Sequence, residues 1–177
     1  MQLFEDEFED VLEAARSLLT TDDETDLWEA NELTNRALSM RPDDPEAWIL
    51  KAQILSALDD DAAALAAIEM AVAREPSTEA LYWKAAFLSD LERFAEALRV
   101  VDKALRHLGV EDDWLVEDLF CEKASALEAL GRHNDAVATY ETGLARCPDS
   151  TLLLAGLNPL RKQNLKASLK VLKGGLD

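Results

Sequence analysis

The amino-acid sequence predicts an all-α protein, a stack of antiparallel helix pairs, on three observations. Aliphatic residues dominate a hydrophobic content of 49%, and only six glycines and five prolines interrupt 177 residues, which favours helices over strands and turns. Apolar residues recur at helical spacing. One eight-position pattern of large, small and helix-breaking residues returns along the chain at a nearly constant interval.

The pattern reads Trp48, Lys51, Ala52, Leu55, Ala64, Ile68, Ala71 and Pro76 in its first clear copy. It returns as Leu81, Lys84, Ala85, Leu88, Ala97, Val101, Ala104 and Gly109, and again as Phe120, Lys123, Ala124, Leu127, Ala136, Tyr140, Gly143 and Pro148. A looser copy precedes them. Val11, Ala14, Ala15 and Leu18 match its first half and Ala30, Thr34, Ala37 and Pro42 its second, with three extra residues around Thr21 to Thr25. The first helix of that copy carries Phe4, Phe8, Val11, Leu12, Ala15, Leu18 and Leu19 as one apolar stripe, with Glu5, Asp6, Glu9, Asp10 and Glu13 mostly off it.

Each position has a physical role. The small residues Ala15, Ala52, Ala85 and Ala124, and on the facing helices Ala30, Ala64, Ala97 and Ala136, let paired helices approach closely. Trp48, Leu81 and Phe120 fill the space between neighbouring copies. The proline or glycine after each second helix ends it. Turns are expected at Asp59-Asp60-Asp61, Glu92-Arg93 and Gly131-Arg132.

These residues resemble the tetratricopeptide repeat (TPR), and the match covers roughly residues 8 to 148. Lysine stands where the family usually has leucine, at Lys51, Lys84 and Lys123, and alanine replaces the neighbouring glycine; a lysine stem can lie along apolar surface with its ammonium in water. The resemblance implies a right-handed superhelical solenoid of about four repeats, near residues 8–42, 45–77, 78–110 and 117–149, forming a single domain over residues 1–177. The alanine spacing is 34 and then 33 residues before it stretches to 39 between Ala97 and Ala136. The extra segment from Val110 to Val116 is expected to extend a loop or add a helical turn, with Trp114 folded back onto the stack.

Beyond Pro148 the pattern decays into capping helices over residues 150–175. Thr151 to Leu157 reads as a short helix, Asn158 and Pro159 as a cap and first helical position, and a final helix carries Lys162, Lys166, Lys170 and Lys173 on one stripe and Leu165, Leu169 and Leu172 on another. The leucines are expected to pack on the last repeat, so that the helix caps the stack. It could also complete a second copy of the chain as a homo-oligomer, or act as a binding arm.

Thirty-six acids face 18 bases, for a net charge of −18. Residues 1–149 carry −22 and residues 150–177 carry +4, so the body repels nucleic acid and anionic membrane. No apolar run is long enough to span a bilayer, and the acidic start is unlike a targeting segment, which places the expected location in the cytoplasm. Cys121 and Cys147 lack CxxC spacing and read as idle thiols. His107 and His133 have no nucleophile or ligand partner at a telling spacing, and the acidic runs at Asp22 to Asp26 and Asp59 to Asp61 lack the glycine and closing glutamate of a calcium loop. No phosphate loop, GxSxG or HExxH motif occurs, so no enzyme, cofactor or metal is expected.

The resemblance further implies a protein-binding groove lined by the first helix of each repeat. Its positions are Glu9, Leu12, Glu13, Arg16 and Leu19 in the first repeat, and Glu46, Ile49, Leu50, Gln53 and Ser56 in the second. The third supplies Glu79, Tyr82, Trp83, Ala86 and Ser89, and the fourth Asp118, Cys121, Glu122, Ser125 and Glu128. Glu46, Glu79, Asp118 and Glu128 form an acidic rim around an apolar centre, which suits a protein or peptide with apolar anchors and basic flanks. Ile49, Leu50, Gln53, Asp118 and Glu122 occupy the positions at which the family's chaperone-tail clamp carries basic and amide residues, so carboxylate capture is not expected. An adaptor or scaffold is the function so implied, with a small acidic chaperone of a secreted or assembled protein, or a self-assembling structural unit, as alternatives.

Overall fold

The computed structural model describes the backbone of residues 2–21 and 23–174 and the side chains of residues 7–21 and 23–166. Every regular element among them is helical. The α-helices are α1 (Gln2–Leu19), α2 (Glu24–Met40), α3 (Pro45–Ala57), α4 (Asp61–Arg74), α5 (Thr78–Asp90), α6 (Phe94–His107), α7 (Val116–Ala129), α8 (His133–Arg146) and α9 (Thr151–Gly174), with a 3₁₀ turn at Asp113–Leu115. The chain divides into two compact units, Met1–Arg93 and Phe94–Asp177.

In the first unit α1 packs on α2 and α3 on α4, while α1, α3 and α5 also touch one another in order. Three first-of-pair helices therefore lie side by side, with α2 and α4 behind them. The small residues Ala15, Ala30, Ala52 and Ala64 are all fully buried. Phe8, Leu12, Leu38, Leu50 and Ile54 fill the core around them, with Trp48 packed at its edge. The Trp48 indole donates to the Pro42 carbonyl at 2.8 Å, and the Arg74 guanidinium lies 5.4 Å from its ring centre.

The helix starts are capped by the residue types that favour this role. Asp44, Asp60 and Ser77 accept from the backbone N–H three residues on, at 2.9, 3.0 and 3.1 Å, and Asp23 accepts from Thr25 at 2.8 Å. Three helix ends share one closing geometry. Asp59, Glu92 and Gly131 adopt positive φ of 60°, 57° and 72°. Around them the paired bonds Asp60 N–H to Leu55 and Asp59 N–H to Ser56 recur as Arg93 to Leu88 with Glu92 to Ser89, and Arg132 to Leu127 with Gly131 to Glu128. This is the Schellman closure, which favours glycine, and only one of the three turns has it.

The repeat-position lysines do more than cover apolar surface. Lys84 reaches Glu69 at 2.8 Å and Lys123 reaches Asp102 at 2.7 Å, while Lys51 donates to Asn35. In each case a first-of-pair helix is tied to the second helix of the preceding pair. Burial pushes the Lys51 ammonium below its ordinary pKa, against the opposing influence of Glu32.

In the second unit α6 packs on α7, α7 on α8, and α9 on both α7 and α8. Its core gathers Val116, Phe120, Leu127, Tyr140, Leu153, Leu157 and Leu160. Two expectations for the tail are corrected. The helix does not restart at Asn158 and Pro159 but runs through them, with Pro159 inside α9. Leu153, Leu157 and Leu160 are buried at i, i+4 and i+7, and holding three leucines in one stripe, at about 1.5–3 kcal/mol each, offsets the roughly 3 kcal/mol that an internal proline costs. Those leucines, rather than Leu165, close the core: Leu165 is 62% exposed. Lys162 and Lys166 are exposed as expected, whereas the side chains of Leu169, Lys170, Leu172 and Lys173 lie outside the described residues, as do those of Phe4, Glu5, Asp6 and Asp22.

Trp114 also departs from expectation. The inserted segment does form a helical turn, but Trp114 is 61% exposed, because Leu115 and Val116 beside it take the buried positions. Gly156 was not singled out by the sequence. A Cβ there would lie 2.4 Å from the Tyr140 ring, so α9 seats on Tyr140 only because position 156 has no side chain.

Replacing Gly156 with alanine is therefore expected to destabilise the protein by about 1–3 kcal/mol, measured by urea denaturation; an unchanged midpoint would show that α9 yields freely. Glu92→Gly should stabilise it by about 1 kcal/mol, and Gly131→Ala should cost about 1–2 kcal/mol, since only glycine adopts positive φ without strain.

Candidate functional site

Two clefts open on the side of the first unit where α1, α3 and α5 lie together. One, of about 290 Å³, is lined by Arg16, Pro45, Glu46, Ile49, Leu50, Gln53, Glu75, Ser77 and Glu79. The other, of about 410 Å³, is lined by Leu19, Gln53, Ser56, Ala57 and Trp83. Gln53 is the wall they share.

Helical geometry selects these residues. Glu46, Ile49, Gln53 and Ser56 follow one another at i, i+3, i+7 and i+10 on α3, so they form a stripe along a single face. Ala47, Leu50 and Ile54 form a second stripe, rotated into the core. Leu50, 3% exposed, therefore contributes little to the cleft it borders. Leu12, 2% exposed, sits on the corresponding core stripe of α1 with Phe8 and Ala15. Both were expected as ligand-facing residues and both are packing residues instead. Ile49, 8% exposed, forms cleft floor rather than a projecting anchor.

Tyr82 and Trp83 are both half-buried on α5, and Ala86 lies half-buried a turn further along the helix. The Trp83 ring meets Tyr82 edge-on at 5.2 Å and stacks on the buried Phe87 at 5.8 Å, which fixes it as a rigid wall of the larger cleft. Its indole Nε1 is buried and has no hydrogen-bond partner among the described residues. Arg16 donates to Glu13 at 3.1 Å and to Glu46, tying the acidic edge of α3 to α1. Glu75 and Pro45 line the smaller cleft although neither was expected. Glu75 caps the end of α4, whereas the expected groove positions all lie on the first helix of each pair.

The remaining groove residues lie on α7 in the second unit. Cys121, Glu122 and Asp118 are half-buried, and Ser125 is exposed. Burial pushes the Cys121 thiol up to about 12, with help from Glu117, Asp118 and Glu122. The Asp118 carboxyl is raised by burial and then by Glu117. Glu128 was expected on an acidic rim, but it accepts the Tyr140 hydroxyl at 3.0 Å and belongs to the packing of α7 on α8. Burial and that carboxylate push Tyr140 up to about 12. Among the described residues, no group of three or more His, Cys, Asp or Glu is placed to hold a metal ion, and no helix is long and apolar enough to cross a membrane.

A family model described as tetratricopeptide repeat matches residues 117–150. No curated protein matches the sequence. Among solved structures, the chain is similar to PilF of Pseudomonas aeruginosa, with TM-score 0.80 and 14% identity over 92% of this chain and 71% of that one. PilW, a type IV pilus biogenesis factor, aligns with TM-score 0.75 and 22% identity over 92% of this chain and 70% of its own. YrrB, described as a TPR protein with an unusual peptide-binding site, aligns with TM-score 0.67 and 15% identity over 91% and 83%. At these identities the likeness is one of fold.

Thiolate is the reactive form of cysteine, so raising the Cys121 thiol from 9.0 to about 12 should slow its alkylation at pH 8 by about a thousandfold relative to an ordinary thiol. Iodoacetamide labelling of a Cys147→Ser variant, followed by mass spectrometry, checks this; labelling at the rate of an ordinary thiol would contradict the burial of Cys121.

Proposed function

We propose that this chain, a tetratricopeptide-repeat protein, is a non-enzymatic cytoplasmic adaptor or scaffold that holds a segment of another protein against α1, α3 and α5 of its first unit. The reading rests chiefly on the paired clefts that meet at Gln53, one of them walled by Trp83. A rigid, half-buried aromatic beside an open cleft can gain area against a ligand at little cost in side-chain entropy, because Phe87 already holds its ring. The peptide-binding site reported for YrrB, a neighbour in fold, accords with such a use. Apolar contact then supplies most of the affinity, while exposed carboxylates influence association rate and partner choice in a salt-sensitive way.

Affinity capture from the native cell, with mass spectrometry of what is retained, tests the proposal when wild type is compared with Trp83→Ala and Tyr82→Ala. Trp83→Ala is expected to weaken the specifically retained partner by about 2 kcal/mol or more while leaving helicity unchanged in circular dichroism. If Trp83→Ala unfolds, Trp83→Phe keeps the contact with Phe87 and the comparison rests on Tyr82→Ala. Folded variants at both positions with undiminished capture would refute the groove.

A further inference from the structure

The smaller cleft has a chemistry of its own. Its lining carries three carboxylates, Glu46, Glu75 and Glu79, against the single guanidinium of Arg16, which is itself engaged by Glu13 and Glu46. The starts of α3 and α5 also reach it, but their N–H groups are capped by Asp44 and Ser77, and their partial positive charge does not offset three carboxylates. Pro45 and Ile49 supply an apolar floor beneath this negative wall. An anion entering here would have to displace Glu46 from Arg16 and face the other two glutamates. A lysine or arginine side chain fits both features, with its methylene stem on the apolar floor and its cation among the carboxylates.

We propose that the cleft bounded by Arg16, Glu46, Glu75 and Glu79 receives a lysine or arginine of the bound segment, and that the neighbouring Trp83 cleft receives a large apolar side chain of the same segment. This rests on the groove reading above and adds the class of partner sequence to it. The two clefts adjoin at Gln53, which lines both. In an extended chain, alternate residues point to the same side and stand roughly 6.8 Å apart, twice the rise per residue, a step that spans one intervening side chain. Such a segment, extended and with a basic residue two positions from a large apolar one, presents both side chains to the adjoining clefts. Trp83 lines the apolar half of this site, and its buried indole N–H, without a hydrogen-bond partner among the described residues, reports on its occupation.

The probe is the amidated, N-acetylated hexapeptide Gly-Lys-Ser-Trp-Ser-Gly, compared with peptides carrying Gln or Glu in place of Lys, or Ala in place of Trp. Binding to the full chain is followed by the ¹⁵N indole resonances of the labelled protein. The lysine peptide should shift the Trp83 indole and bind about three- to tenfold more tightly than the glutamine peptide at about 20 mM salt, with the difference shrinking at about 0.5 M. The Glu75→Gln, Glu79→Gln double variant, checked for helicity, should bind the lysine and glutamine peptides equally. The alanine peptide should leave the Trp83 indole unmoved. If the tryptophan peptides shift Trp83 but lysine, glutamine and glutamate bind alike, the cation subsite is wrong and the groove stands. If the lysine preference survives in the folded double variant, these carboxylates do not create it. If no peptide moves the Trp83 indole, both the subsite and the groove reading fail.

Discussion

Close approach between paired helices is the constraint from which the rest of this structure follows. Where α1 meets α2, α3 meets α4 and α7 meets α8, the helices carry fully buried alanines, Ala15 with Ala30, Ala52 with Ala64 and Ala124 with Ala136. A larger side chain at any of these positions would force the axes apart in an interior that is already close-packed. Glycine serves the same end where a large side chain must come close: Phe120 lies against Gly143 within the α7–α8 pair, and Tyr140 covers Gly156 where α9 seats on α8. A small residue on each helix at the closest approach recurs in all three of these pairs.

That solution also determines where a ligand could bind. Once α3 has turned Ala47, Leu50 and Ile54 inward, the stripe from Glu46 to Ser56 must face out, and α1 and α5 on either side bring Arg16, Leu19, Glu79 and Trp83 to it. The chemistry of this face comes from unlike contributions. The helix dipole favours Glu46 and Glu79 in the first turns of their helices, and the end of α4 adds Glu75. Residues that serve helix ends thereby also give a cleft its charge.

Charge elsewhere is arranged to hold neighbouring pairs together. The lysines that replace leucine in the repeat tie each first helix to the preceding second helix, through Glu69 for Lys84 and Asp102 for Lys123. These half-exposed pairs add little stability individually. Each nevertheless ties a first helix to the second helix before it at one defined position.

Helix type, the close-contact alanines and the turns at Asp59 to Asp61, Glu92-Arg93 and Gly131-Arg132 were legible in the sequence, because each rests on local spacing or on the conformational preference of a single residue. The groove was legible only in part. Position counting placed Leu12 and Leu50 beside Ile49 and Trp83, yet a rotation of about 100° between adjacent helical residues sends the two leucines into the core. Glu128 reads in the sequence as a rim residue, whereas Tyr140, twelve residues away on the facing helix, engages it. Pro159 and Asn158 carry the local signature of a helix start, which the joint burial of Leu153, Leu157 and Leu160 overrides. The sequence by itself determined what is periodic: the helices, their pairing and the apolar stripe of each. Only the tertiary structure decided which members of a stripe are covered and which remain accessible, and that Glu75 joins a cleft on α3, because those outcomes depend on how neighbouring helices seat against one another and not on the order of residues within any one of them.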